Sequence, residues 1–82
     1  MGFAFLEAGR SLSNMENYNK AIKNFQNLIK IQPDFAEAYN SLAVAYQEIG
    51  QIKNAIINYQ QAIKIKFEYA EAHRALTLLI NY

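Results

Sequence analysis

Small and apolar residues recur along this 82-residue chain at a fixed interval of 34. Laying residues 2–48 over residues 36–82 matches Ala4 with Ala38, Ala21 with Ala55, Ile22 with Ile56, Ile29 with Ile63 and Leu42 with Leu76. Within each interval the apolar positions fall three and four apart, as in the stripe Leu42, Ala45, Tyr46, Ile49, which is the spacing of one helix face. The pattern predicts five helices, over 2–14, 17–31, 35–48, 51–66 and 69–81. Gly50 follows the Leu42–Ile49 stripe and is placed to close a helix in the left-handed conformation. Glu16 stands at the matching place one interval earlier, so the first turn is expected to rest on Asn14 or Asn17. Asp34 and Glu37, three apart after Pro33, have the arrangement of a capped helix start. Ala21, Ala55 and Ala62 leave room for close helix approach, while Phe5, Phe25, Tyr39 and Tyr59 fill the space between crossing helices. The three alanines are therefore expected to be buried. A period between about 20 and 50 residues marks stacked units that cannot bury their apolar faces alone, so function is sought on a surface made by stacking.

The residues at that period resemble the tetratricopeptide repeat, a 34-residue helix-turn-helix unit. Residues 36–69 carry Tyr39, Leu42, Ala43, Tyr46, Gly50, Ala55, Tyr59 and Ala62 at the places of its signature. The corresponding residues of the first unit are Phe5, Ala8, Gly9, Leu12, Ala21, Phe25, Leu28 and Pro33. Ala72, His73, Leu76 and Ile80 look like the first helix of a third unit. The resemblance implies an all-α fold, a right-handed stack of antiparallel helical hairpins. It divides the single domain into repeat 1 at 2–35, repeat 2 at 36–69 and the first helix of a truncated repeat at 70–82.

Composition limits the functions this surface can have. A chain so short buries only ~60% of its unfolded surface, so neighbours or self-association are expected to help it. It has no cysteine, which removes disulfides and thiolate metal sites and favours the cytoplasm as a reducing compartment. No run approaches the ~20 apolar residues of a membrane span. The opening Gly2–Leu6 lacks the basic flank of a signal peptide, and Leu6 stands where a myristoylation signal wants Ser or Thr. Six of the eight basic residues, Lys20, Lys23, Lys30, Lys53, Lys64 and Lys66, fall in second helices, and the acids gather in first helices. With a net charge of +1 and no interleaved exposed aromatics, those lysines read as a solvated face rather than a nucleic-acid or membrane site. The single histidine, His73, occupies an aromatic packing place, with no second histidine, no cysteine and no glycine-rich phosphate loop beside it. A non-enzymatic module without cofactor or metal is expected.

The resemblance also locates a peptide groove. Its lining implies Phe3, Leu6 and Arg10, then Glu37, Asn40 and Val44, then Glu71, Arg74 and Leu78, a mixed surface suited to a peptide with one or two apolar anchors. Relatives that grip the carboxylate of chaperone tails use basic and amide residues where this chain has Leu6, Arg10, Ser41, Glu71 and Ala75. Such a ligand is not expected, because these side chains form no positive cradle. Two departures point instead to homo-oligomers. Phe67 replaces the helix-stopping proline that Pro33 supplies one unit earlier, and the last helix presents Leu76, Leu78, Leu79 and Ile80 on more than one side. Self-association through Phe67 and these residues takes one of two forms, a kept turn at 67–69 with end-to-end pairing or a helix continuous across 67 that is exchanged between copies. The chain thus reads as a protein-binding scaffold, with a self-associating array or a substrate-presenting piece of a larger enzyme as the alternatives.

Overall fold

The computed structural model describes the backbone of residues 2–81 and the side chains of residues 15–81. It contains α1 (Gly2–Ile31), α2 (Ala36–Glu48), α3 (Ile52–Ile65) and α4 (Ala70–Ile80), and no strand among the described residues. Four helices replace the five expected, because α1 runs unbroken through residues 14–17. The reason is local. Residues 10–31 contain neither glycine nor proline, and the left-handed conformation that would turn the chain at Glu16 costs roughly 1–2 kcal/mol for a residue with a Cβ. Asn14 and Asn17 stay helical. At 30 residues α1 is a rod of ~45 Å.

The second unit does turn where the glycine allows it. Gly50 has φ 84°, the Gly50 amide donates to the Gln47 carbonyl at 3.1 Å, and the Gln51 amide donates to the Tyr46 carbonyl at 2.9 Å. These paired bonds satisfy the free carbonyls at the end of α2 in a Schellman closure. Nothing would touch a Cβ added at Gly50, so the demand for glycine there is purely conformational.

The turns between units share three backbone hydrogen bonds. The amide of Gln32 donates to Leu28, Phe35 to Gln32 and Tyr39 to Phe35; 34 residues later Lys66 donates to Ala62, Tyr69 to Lys66 and His73 to Tyr69. The turn after α3 is therefore kept without proline, and the helix continuous across Phe67 does not occur. His73 helps to hold it. Its Nε2–H donates to the Phe67 carbonyl at 2.7 Å, and the two rings meet edge to face at 5.8 Å. The expected cap at Asp34 falls one residue early, since Phe35 is the N-cap of α2 and makes no side-chain capping bond.

Each helix packs chiefly on the next, α1 on α2, α2 on α3 and α3 on α4. One core cluster gathers Ala43, Ala55, Tyr59, Ala62 and Ala72, with Tyr39, Tyr46, Ala75, Leu76 and Leu79 against it. Ala55 and Ala62 are fully buried as the pattern requires. The second cluster, Ile22, Leu42 and Ala45 with Tyr18, Phe25 and Ile29, joins the latter half of α1 to α2. Ala21 is only half-buried, against expectation, because no helix lies over it to play the part that α2 plays over Ala55. Tyrosine hydroxyls find partners at the rim, where Tyr59 donates to Gln47 Oε1 at 2.9 Å and Gln26 Nε2 donates to the Tyr46 oxygen at 3.1 Å.

Candidate functional site

The open side of α1 and α2 forms a concavity of about 300 Å³. Tyr18, Ala21 and Phe25 of α1 make one wall, Asn40, Ser41, Val44 and Ala45 of α2 the other, and Glu71 of α4 stands at its edge. The lining is mostly apolar. Of its polar members, Asn40, Ser41 and Glu71, Asn40 is only 4% exposed, yet its Oδ1 has no hydrogen-bond partner among the described residues. An unmet buried acceptor costs about 1–3 kcal/mol, so it stands out among buried polar atoms, most of which are paired.

Of the nine groove residues expected from the sequence, Asn40, Val44 and Glu71 come together here. Glu37 does not line it. Its carboxylate meets Lys66 Nζ at 3.2 Å across the α3–α4 turn, and Lys66 also lies 5.0 Å from the Tyr69 ring centre. The hydrogen bond from its own backbone amide, and then Lys66, hold the Glu37 carboxyl below its ordinary range. Arg74 is exposed outside the concavity. Leu78 joins Gln47, Ile52 and Leu79 around a second hollow of about 480 Å³. Phe3, Leu6 and Arg10 lie outside the residues whose side chains are described.

Burial raises the Tyr59 hydroxyl above its ordinary range, with the nearby charges of Glu71 and Glu48 adding to it, so the group stays a neutral donor to Gln47. Among the described residues no cluster of His, Asp or Glu could hold a metal ion, and no helix is long and apolar enough to cross a membrane.

A stack of helices joined by turns that repeat 34 residues apart is the architecture of a repeat protein, and two family models match it: TPR repeat over residues 9–50 and Tetratricopeptide repeat over residues 36–69. The chain belongs to the tetratricopeptide repeat family. No curated protein matches it. Tetratricopeptide repeats commonly mediate protein–protein interactions. Sequence reasoning places Ala21 and Phe25 in the packing of the first repeat, does not single out Tyr18, and misses all three as site residues. The signal that could have found them is Glu16. Without glycine at that place the first hairpin of the tetratricopeptide unit stays open, and the residues it would have covered become a wall.

Proposed function

We propose that the chain is a non-enzymatic protein-binding module that takes a segment of another polypeptide into the concavity between α1 and α2. The observation that carries this reading is the unpaired Asn40 Oδ1, buried at the wall of a mostly apolar hollow. Tyr18, Phe25 and Val44 offer contact to one or two apolar anchors, Asn40 accepts from an N–H or O–H of the ligand, and Glu71 favours a cation beside them. In this reading repeats 2–35 and 36–69 and the helix at 70–82 make one scaffold, and Arg74 and Leu78 extend its contact surface. The cysteine-free composition supports a reducing compartment such as the cytoplasm.

A peptide library displayed on phage, panned on the full chain and counter-selected on Ser41→Arg, tests this. Ser41 is half-buried and lines the hollow, so arginine there fills it while leaving the core alanines in place. Enriched peptides should carry apolar anchors with a donor or cationic side chain, and Val44→Glu should weaken them by more than ~1 kcal/mol through an unpaired charge in an apolar contact. Enrichment that is equal on both chains removes the concavity as a binding site.

A second reading is favoured by the far end of the molecule, where Phe67, Leu78 and Ile80 are all more than 60% exposed. Another chain covering α4 would bury them, making the protein a self-associating array.

A further inference from the structure

The concavity has a filled counterpart in the same molecule. Its walls Ala21, Phe25, Ser41 and Ala45 stand 34 residues before Ala55, Tyr59, Ala75 and Leu79. Those four surround α2, whose Ala43 is buried among them with Tyr39 and Tyr46 alongside. The walls in the first unit are thus built to hold a helix, and the helix that fits by register is residues 2–14, where Phe5, Gly9 and Leu12 hold the places of Tyr39, Ala43 and Tyr46. The chain's own copy of that helix is elsewhere. Because α1 is unbroken, residues 2–14 continue along its axis and cannot fold back onto the flank at residues 18–25.

We infer that the concavity is the berth of residues 2–14 from a second copy, so that two chains pair by exchanging the N-terminal halves of α1. This rests on reading the concavity as a protein-binding site and names its partner. Charge agrees. Among the described residues Glu71 is the single charged one of the lining, and the incoming segment brings one basic residue, Arg10, whose guanidinium can donate to Glu71 and to the unmet Asn40 Oδ1. Glu7 takes the register place of Ser41, on the flank of the berthed helix that turns away from α2. Exchange is reciprocal, and the packing it forms copies that of a closed hairpin, so pairing needs little beyond a straight α1. Glu16, which keeps α1 straight, becomes the residue that decides between a closed monomer and an exchanged dimer.

Light scattering on the full chain at micromolar concentration, with circular dichroism as a check on folding, tests the exchange. The expected mass is twice the chain's 9.4 kDa. Ser41→Arg, which fills the berth, should halve it. Glu16→Gly should also halve it with helicity kept, because it supplies the glycine that Gly50 provides in the second unit and lets the hairpin close on itself. The double variant Leu78→Lys with Ile80→Lys should leave the dimer intact. A wild-type chain that is monomeric throughout the micromolar range overturns the exchange, while peptide enrichment against Ser41→Arg still decides separately whether the concavity binds protein. A dimer that survives Glu16→Gly, or one lost only when Leu78 and Ile80 are changed, overturns it too. If Ser41→Arg unfolds, the Glu16→Gly result alone decides.

Discussion

At residues 48–51 the chain reverses between α2 and α3 around Gly50, whereas at the matching residues 14–17 α1 runs straight through. The turns between units show the opposite relation. Pro33 has a fixed φ and no amide hydrogen, constraints that Phe67 lacks, yet the turns around them share three backbone hydrogen bonds. A change of residue matters where the fold demands a conformation that only one residue type reaches cheaply, as at Gly50. It matters little where any residue can adopt the required backbone and a neighbour, here His73, supplies the missing restraint. The two units therefore part at one position, and the concavity beside Ala21 follows from it.

The largest expected difference between the units lies at their paired alanines. Ala55 is fully buried against Ala43 and Tyr59, so Ala55→Leu should overpack the hairpin and cost ~1–3 kcal/mol, a large share of the stability of so small a domain. Ala21 opens on the concavity, so Ala21→Leu should cost less than ~0.5 kcal/mol at concentrations where the chain is unpaired. Urea melts of both variants measure the contrast. Equal costs would mean that the first hairpin closes in solution as the second does.

Gly50→Ala comes next. The added methyl meets nothing, so its whole effect is the left-handed backbone at φ 84°, worth ~1 kcal/mol or somewhat more. Alanine at 16, in contrast, should leave the helical α1 unharmed or slightly favoured, since alanine is the best helix former. A Gly50→Ala chain as stable as the parent would show that the α2–α3 turn has another way to form.

Much of this is legible in the sequence, for reasons that differ by residue. The 34-residue interval announces the stack, and Gly50, Ala55 and Ala62 are read correctly because each is the small or flexible residue its place requires. The first turn is misplaced because Asn14 and Asn17 tolerate a turn without enforcing one, and helix continuation wins when nothing stops it. Asp34 reads as a cap one residue too early, a shift that sequence spacing alone does not resolve. In the site, Asn40, Val44 and Glu71 do converge. Glu37 is drawn off by Lys66, a contact between residues 29 apart that no local pattern reveals. The hollow itself is not legible, since it is defined by a helix that is not there.

Phe67→Pro should bring the two inter-unit turns still closer. Phe67 donates no turn hydrogen bond, and Lys66 before it, at φ −128° and ψ 89°, is already outside the helical region that a following proline disfavours. Proline should then stabilise by ~0.4–1 kcal/mol through the unfolded chain, less whatever the edge contact with His73 contributes. Loss of stability on this change would mean that the ring of Phe67, and not the shared hydrogen bonds, holds the turn.

The smallest expected effect concerns the Glu37–Lys66 pair, which exists only in the second unit, because Phe3 and Gln32 hold the matching places in the first. Its geometry ties the start of α2 to the α3–α4 turn, but both side chains are more than half exposed, so solvent screens most of the attraction. The sign follows from the lowered carboxyl. Glu37 binds its proton less readily in the folded chain than its ordinary value of 4.5 implies, so its contribution is present above that value and is lost as pH falls through the lower, folded one. Glu37→Gln should flatten the fall in stability over that acid window and change little at neutral pH. High salt should shrink the difference between the two chains further, since the screening length drops to ~3 Å at about 1 M. Thermal melts of parent and variant from neutral pH down to the carboxylate range, in low and high salt, measure it. Parallel pH profiles in low salt would mean that the pair, though formed, contributes nothing to holding the two elements together.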